Sequence, residues 1–274
     1  MNADTPVGRF RADWRLLWAT VRVFLLRWAS NPIMLVRAPL MPLLLLVSFT
    51  VAYQVSGQAA VQRQDVVGFL VVGILATLAW NSTVWGSGHA LQWEIHAGTI
   101  ASVIAAPTRT MPVVLGYGIG NITWDITGLA SCIGAGALLG ARFEVADPIG
   151  ALVSLVAVYA SSLCIGLGFA GLFILSRQAN AMSNFLQAPI WLLAGFFVPR
   201  TALPDWLEPI SAAIPLAHAV DALRATTLAG RSLAEVGGAL LAAAATSAVF
   251  LLAGVWSLRR VDYAMRRRGK LDLL

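Results

Sequence analysis

Long runs of apolar residues are the feature that most limits how this chain can fold. Six segments of about 20 residues each are long enough to cross the roughly 30 Å hydrocarbon core of a bilayer as helices. Hydrophobic residues make up 58% of the sequence and charged residues 12%, about half the charged fraction of an average soluble domain. The sequence therefore predicts an all-α membrane protein with one domain over residues 1–274. Its six predicted transmembrane helices cover about 33–55, 66–88, 112–139, 148–175, 180–198 and 234–258.

The basic residues are distributed unevenly between the two sides of these spans. Thirteen of the 19 Lys and Arg residues fall on the side of the N-terminus, five fall on the other side, and Arg37 lies inside the first span. Cytoplasmic segments of membrane proteins carry such an excess of positive charge. The pattern predicts a multi-pass protein of the cell membrane with both termini in the cytoplasm. It also accounts for the net charge of +6 without a nucleic-acid partner.

An N-terminal amphipathic helix is predicted over residues 9–30, before the first span. Aromatic and aliphatic residues recur on one face at helical spacing, and arginines flank that face. Such a helix suits the headgroup layer of a membrane, and the alternative is docking on the protein's own cytoplasmic surface. Its characteristic side chains are Trp14, Trp18, Trp28, Arg11, Arg15 and Arg22.

The loop after the second span, residues 89–111, is predicted to be cytoplasmic and to hold a short helix across the end of the bundle. His89, Glu94 and His96 lie close together there, but their spacing is not that of HExxH and no cysteine is near. We therefore predict a polar loop and no metal site.

A proline-rich segment, residues 200–228, lies between the fifth and sixth spans. No single continuous helix can run through its prolines. We expect two short helices that dip into the outer leaflet, the first starting near Pro204 and the second running from Pro215 to Leu228 and ending at Gly230. Broken backbone next to membrane spans is a frequent mark of a functional region in transporters and channels.

Asp125 is the one acidic residue deep inside a predicted span, since Glu235 lies in the first turn of the sixth. A carboxyl group at that depth costs free energy unless it is protonated, paired or hydrated. Arg37 lies too close to the inner end of its span to be the partner. Two roles remain open: a bond to a hydroxyl or backbone group of a neighbouring helix, and a position beside Asn121 on the wall of a cavity. Proton coupling through Asp125 is a further hypothesis.

Glycine-rich motifs in this sequence do not predict nucleotide binding. The GxGxxG match at 166–171 lies inside the fourth span, where small residues favour close packing of helices. No GxxxxGK[ST] motif occurs in the sequence, so ATP hydrolysis by a P-loop mechanism is not expected from this chain.

Two motifs in the loops occur in a characteristic order. The first is Glu94-x-x-x-Gly98-Thr99, followed by Pro107. The second is Phe197-x-Pro199-x-x-x-Leu203-Pro204-x-Trp206-Leu207, followed by Pro215 and Ala222-Leu223-Arg224. With the six spans and the Arg-rich tail, they resemble the membrane subunit of ABC-2-type ABC transporters, a family that includes drug, lipid and polysaccharide exporters. The resemblance covers nearly the whole chain.

The resemblance implies a role for each loop. Residues 92–107 would form a coupling helix on a separate ATPase subunit, through Glu94, Gly98, Thr99 and Pro107. Glu94 would pair with a basic residue of that subunit, and Gly98 would allow close approach of the two backbones. The helix at 9–30 would be an interfacial helix that touches the same subunit. Residues 200–228 would be paired re-entrant helices that form a gate near the exit, with Pro199, Leu203, Pro204, Trp206, Pro215 and Arg224.

The resemblance also implies partners. Two copies of the ATPase would bind ATP and Mg, this chain would hold no cofactor, and a second permease subunit, identical or paralogous, would face this one. The chain would be a transport subunit and not an enzyme. Residues suggested for the translocation path are Trp80, Asn81, Trp85, Asn121, Asp125 and Trp191.

The predicted function is export of an amphiphilic or hydrophobic molecule, a drug, lipid, glycolipid or polysaccharide, from the cytoplasm by alternating access. Broad apolar spans with few fixed charges favour such a cargo over an ion. The alternatives are a proton-coupled secondary transporter and an intramembrane lipid-modifying enzyme. Both would need more titratable groups within the spans than this sequence provides.

Overall fold

The computed structural model describes residues 6–55, 65–105, 110–174, 176 and 178–268. These residues are mostly helical, and none of them forms a β-strand. The α-helices of the described residues are α1 (Pro6–Ala29), α2 (Pro32–Val55), α3 (Val66–Trp80), α4 (Ala90–His96), α5 (Ile100–Ala105), α6 (Met111–Leu138), α7 (Pro148–Ile174), α8 (Ala179–Leu193), α9 (Glu208–Ala212), α10 (Pro215–Leu228) and α11 (Leu233–Arg268). A π-helix, Asn81–Gly88, continues α3 directly, and short 3₁₀ turns lie at Arg200–Ala202 and Asp205–Leu207.

Four helices of the described residues are long and apolar enough to cross a membrane. They are α2, α3 with its π-helical continuation, α7 and α11, and they match the first, second, fourth and sixth predicted spans. α6 covers the third predicted span with 28 residues, but Asn121, Asp125 and several glycines make it less apolar. α8 has 15 residues and is therefore about 22 Å long. A helix is present at each predicted span, and length and apolarity identify four of the six predicted spans among the described residues.

α3 and its π-helical continuation form the centre of the bundle. In the most apolar part of this span 72% of the residues are buried, against 17% in α2 and in α11. α2, α6, α7 and α10 pack around α3. The outer faces of α2 and α11 carry exposed apolar side chains such as Leu44, Val47, Leu241 and Leu252. Lipid or another apolar protein surface is needed to cover such faces.

The change from α-helix to π-helix at Asn81 was not expected from the sequence, which predicted one regular helix over 66–88. The π-helical segment is packed on both sides by α6 and α7. Its Gly88 leaves room for the ring of Phe173, and its Thr83 shares a hydrogen bond with the hydroxyl group of Ser162. π-helical turns are rare and are frequent at functional sites, so this segment is a candidate for part of the site.

α1 is amphipathic, but its apolar face is covered along only part of its length. Val21 and Phe24 are buried against α6, and the Trp28 ring lies 6.0 Å from that of Trp124. Trp14 and Trp18 remain 52% and 48% exposed. The second half of α1 thus docks on the protein, as one alternative predicted, and the first half leaves its aromatic face uncovered. The arginines that flank this face, Arg11, Arg15 and Arg22, are exposed.

The two predicted helices between the fifth and sixth spans are present as α9 and α10. α10 runs from Pro215 to Leu228 as predicted, and Gly230 follows with a φ angle of +60°. α10 packs among α3, α7 and α11, so that protein covers much of the surface that the sequence alone would place against lipid. Leu216, Val220 and Leu223 are buried there. An apolar composition does not distinguish burial in lipid from burial in protein, which is why the sequence missed this.

Candidate functional site

The chain leaves α8 in a sharp turn that is buried inside the bundle. The fifth predicted span was expected to continue to residue 198, but α8 ends at Leu193 and Gly195 has a φ angle of +73°, which a residue with a side chain rarely adopts. Phe196 is fully buried and Phe197 nearly so. The carbonyl groups of this non-helical stretch therefore need hydrogen-bond donors from the protein.

Three side chains provide these donors. The Ser211 hydroxyl donates to the Leu193 carbonyl at 2.6 Å. Arg224 donates from Nη2 to the Phe196 carbonyl at 2.9 Å, and the Tyr53 hydroxyl donates to the Phe197 carbonyl. The donors come from α2, α9 and α10. The broken backbone after α8 is thus fixed to three other parts of the chain.

The charges in this region are also paired within the chain. Arg200 forms an ion pair with Asp221 at 2.5 Å and donates from Nε to Ser211 at 2.8 Å. The Arg224 guanidinium lies 3.9 Å from the centre of the Phe69 ring, which is a cation–π distance. We call Tyr53, Arg200, Ser211, Asp221 and Arg224 the capping cluster.

The six residues predicted for a gate occupy different environments around the capping cluster. Arg224 belongs to the cluster and Pro215 is buried at the start of α10. Pro199 and Leu203 flank the first 3₁₀ turn and are partly buried. Pro204 is exposed, and Trp206 is 70% exposed at the second 3₁₀ turn.

Asp125 contacts the π-helical segment. The Ser82 hydroxyl donates to the Asp125 carboxyl, and the phenol of Tyr159 on α7 approaches the same carboxyl. One of the two roles left open by the sequence, a bond to the hydroxyl of a neighbouring helix, is therefore realised. We call Ser82, Asp125 and Tyr159 the carboxyl cluster.

The other residues suggested for a translocation path divide between two places. Trp80 is fully buried in the core, and Asn81 and Trp85 belong to the π-helical segment. Asn121 donates to the Tyr117 carbonyl at 2.9 Å and its side chain faces Gly86. Trp191 lies apart from these residues, with its ring 5.4 Å from that of Phe197.

The loop after the second span forms two short helices and not one. α4 ends at His96, and α5 starts at Ile100. Gly98 joins them with a φ angle of +71°, and apart from its two chain neighbours no atom of the described residues lies within 4 Å of where a Cβ would be. Within this chain Gly98 is therefore needed for its left-handed conformation and not for close approach. Pro107, which the sequence placed at the end of the helix, lies outside the described residues.

Glu94 is bound within its own chain. Its carboxyl group accepts hydrogen bonds from the Tyr117 hydroxyl at 2.8 Å and from the Thr99 hydroxyl. The first bond fixes α4 to α6, and the second closes the turn before α5. Gln92 fixes α4 on its other side, because its amide group donates to the carbonyls of Phe173 at 2.8 Å and Ser176 at 3.0 Å, at the end of α7.

His89 is a buried junction residue, although the sequence suggested a polar loop residue. It is 2% exposed, and its ring lies 4.7 Å from the rings of both Trp85 and Phe173. Its Nδ1 atom is 3.2 Å from the Val84 carbonyl. His89 thus fills the space where the π-helical segment meets α4. No sequence signal separates such a histidine from an exposed one.

Tyr117 is the functional residue that the sequence could have revealed. It lies four residues before Asn121 and eight before Asp125, so that the three share one face of α6. Tyr159, Ser82 and Gln92 carry no comparable spacing signal.

Comparison with known proteins identifies relatives of the whole arrangement. Residues 15–228 match the family described as ABC-2 type transporter. The daunorubicin resistance ABC transporter permease protein DrrB1 of Streptomyces coeruleorubidus is 25% identical over 237 residues, which are 85% of this chain and 81% of that protein. The matched range contains α2 to α10 and therefore both interrupted regions.

Proposed function

The chain belongs to the ABC-2 type transporter family, and from this premise we propose that it is the permease subunit of an ATP-driven exporter. In this proposal residues 1–274 form one transmembrane domain in the cell membrane. A separate ATPase subunit, in two copies, binds ATP and Mg. The observation that carries the proposal is the family match over residues 15–228, since it covers both the α4–α5 turn and the α9–α10 region.

Six membrane crossings with both termini in the cytoplasm form part of the proposal. α6 and α8 would be the third and fifth crossings, added to the four helices that qualify by length and apolarity. The excess of basic residues on the side of the N-terminus supports this orientation. It puts the α4–α5 turn in the cytoplasm and α9 at the outer surface.

The α4–α5 turn is proposed to receive the motion of the ATPase. A short helix transmits motion to the bundle only if it is fixed to it. Gln92 ties α4 to α7, and Glu94 ties it to α6. Trp93 on the same helix is 52% exposed and is available to a partner. The aromatic and basic face of α1 would lie at the membrane surface beside the same subunit.

α9 and α10 are proposed to be re-entrant helices that close the outer end of the path. The capping cluster supports this, because it holds broken backbone at membrane depth without contact with lipid. A second permease subunit, identical or paralogous, would face this one, and the exposed apolar faces of the bundle offer the surface for it. Alternating access would then be a shift between two packings of the helices.

An amphiphilic or hydrophobic cargo is proposed. The printed name of the relative from Streptomyces coeruleorubidus refers to daunorubicin resistance, which supports a drug-like molecule over an ion. Lipids and glycolipids are tested beside drugs in the experiment below.

Copurification with a candidate ATPase tests the proposal. The full chain is expressed with an ABC ATPase encoded beside it, and the complex is reconstituted in lipid nanodiscs. We expect a stable complex whose ATP hydrolysis is stimulated by some members of a panel of lipids, glycans and drugs. Transport that continues without any ATPase would overturn the proposal.

A second experiment tests the docking loop. Gly98→Arg adds a bulky basic side chain at a left-handed position of the α4–α5 turn, and we expect ATP hydrolysis to continue with transport lost. Glu144→Arg in the loop between α6 and α7 is the matched control, since Glu144 is exposed. Equal transport by both variants would argue against this turn as the docking element.

A further inference from the structure

Asp125 is a membrane-embedded acidic group without a basic partner. No basic side chain of the described residues lies within ion-pairing distance of its carboxyl group. Asp221, by comparison, is paired with Arg200. An uncompensated carboxylate in an apolar interior is costly. Ionisable residues inside membrane helices are rare and usually have a function. Asp125 is therefore a candidate functional residue.

The direction of the Asp125 side chain favours a role inside the bundle. At about 100° per residue, Asp125 shares a face of α6 with Gly118 and Cys132, which are buried. Thr123 and Thr127 lie on the opposite face and are exposed. The carboxyl group therefore points toward the π-helical segment and α7, away from lipid.

One aromatic group, the phenol of Tyr159, lies beside this carboxyl group. The Tyr159 hydroxyl and the Trp124 indole N–H are buried and form no well-aligned hydrogen bond with the described residues. The ring of Trp28 lies 6.0 Å from that of Trp124. One carboxylate, two hydroxyl groups and an aromatic ring provide too few oxygen ligands for Mg²⁺ or Ca²⁺. An aromatic face and one carboxylate are the usual chemistry for an organic cation.

We propose that Asp125 binds the cationic group of an amphiphilic cargo molecule, with the ring of Tyr159 beside it. This inference rests on the proposed function, because it assigns the cargo of the same permease. The cation takes the place of the Ser82 hydroxyl at the carboxylate. Ser82 belongs to the π-helical segment, a rare type of helix that is frequent at functional sites. A shift of that segment opens the site.

Binding of a radiolabelled organic cation to the purified permease tests the inference. Tetraphenylphosphonium is the probe, and binding is measured by scintillation proximity with the full chain in detergent, without an ATPase. We expect saturable binding by the wild type and a loss of at least about tenfold in affinity for Asp125→Asn, equivalent to about 1.4 kcal/mol. The neutral compound triphenylphosphine oxide should not compete.

Three further variants separate binding from folding. Asp205→Asn removes an exposed carboxyl group at the second 3₁₀ turn and should bind as the wild type does. Asp125→Glu keeps the charge, and Ser82→Ala removes only the competing hydroxyl, so both should bind within about threefold. Each variant is accepted only if its thermal unfolding midpoint equals that of the wild type, and Asp125→Ser, which also removes the charge, stands in if Asp125→Asn unfolds.

The outcomes distinguish this inference from the proposed function. Wild-type binding by Asp125→Asn, or no saturable binding by the wild type, would overturn the inference alone, since no ATPase takes part. The proposed function is judged separately, by ATP-dependent export of a neutral amphiphile in the reconstituted complex. That export should persist in Asp125→Asn.

Discussion

The two ends of the bundle both contain interrupted helices, but they satisfy the interruption in different ways. After α8 the backbone turns at Gly195 inside the protein, and three side chains from other helices bind its carbonyl groups. Between α4 and α5 the backbone turns at Gly98 on the surface. Water can bind that turn, and one side-chain bond, from Thr99 to Glu94, closes it.

This difference separates an end whose turn is held inside the protein from an end whose turn is exposed, although α4 beside the exposed turn is tied to α6 and α7. A buried turn cannot rearrange without leaving polar groups unpaired, so the end with the capping cluster should account for stability. An exposed turn has few contacts to lose, and such segments open at low cost. The two ends are roughly 35 Å apart along the 23 residues of Val66–Gly88. Variants at the buried turn after α8 should change the stability of the fold. Variants at the α4–α5 turn should change the coupling of ATP hydrolysis to transport.

The largest expected effect is that of Gly73→Ala in α3. A Cβ at position 73 would lie 1.9 Å from the Phe196 carbonyl oxygen, so the buried turn must move. We expect a loss of about 3 kcal/mol in the free energy of unfolding, measured by chemical denaturation in detergent. The control is Gly134→Ala in α6, where nothing lies within 4 Å. Equal stability of the two variants would show that the turn after α8 is not fixed.

Arg224→Met should come second. It removes the donor to the Phe196 carbonyl at 2.9 Å and leaves a buried acceptor without a partner. The expected loss is about 2 kcal/mol in the same denaturation experiment. Arg231→Met, at an exposed position, should change stability by no more than about 0.5 kcal/mol. A similar loss of unfolding free energy for both variants would mean that the capping cluster does not stabilise the fold more than an exposed arginine does.

Gly98→Ala tests the exposed turn. A left-handed conformation costs a residue with a Cβ about 1 kcal/mol, and the strain can be released by opening the turn. We expect unchanged global unfolding but faster cleavage of the α4–α5 segment by protease and weaker coupling of ATP hydrolysis to transport. Gly98→Asn, which tolerates this conformation better, should behave more like the wild type. A lower free energy of global unfolding for Gly98→Ala would mean that the α4–α5 turn, like the turn after α8, contributes to the stability of the whole fold.

Tyr117→Phe should have a smaller effect on stability, about 0.5 kcal/mol. It removes the hydrogen bond from the Tyr117 hydroxyl to Glu94, while Glu94 keeps its bond to Thr99. We expect hydrogen exchange of α4 amides to increase without a change at α10. Increased exchange at both helices would mean that the two ends are not independent.

The smallest effect is expected for Asp147→Asn, and it should depend on pH. Asp147 accepts hydrogen bonds from the backbone of Gly150, Leu233 and Ile149, and these bonds hold the pKa of its carboxyl group below the ordinary value of 3.8. The ionised group therefore stabilises the fold above that pH, and the contribution is lost as the pH falls through the lower folded value. The difference in unfolding midpoint between wild type and variant should be present at about pH 7 and shrink between about pH 5 and pH 2. A constant difference would mean that ionisation is not the cause.

The helix positions followed well from the sequence, because an apolar run in a membrane has few alternatives to a helix. α10 and its stop near Gly230 were predicted from Pro215 and the glycine alone. The site was predicted less well. Glu94 and Asp125 were recognised as important, but their partners Tyr117 and Ser82 were not, since hydrogen bonds between helices depend on rotations that periodicity does not fix. The docking of α10 among α3, α7 and α11 was missed for the same reason.

By itself, the sequence determined the class of protein, the family, and most of the places where the long helices begin and end. Hydrophobic length and proline or glycine positions act locally, so they can be read from neighbouring residues. Only the tertiary structure decided that Phe196 enters the core beside Gly73, that the second span becomes π-helical, and that Asp125 meets Ser82. Each of these depends on contacts between residues tens of positions apart, which form only when the helices have packed.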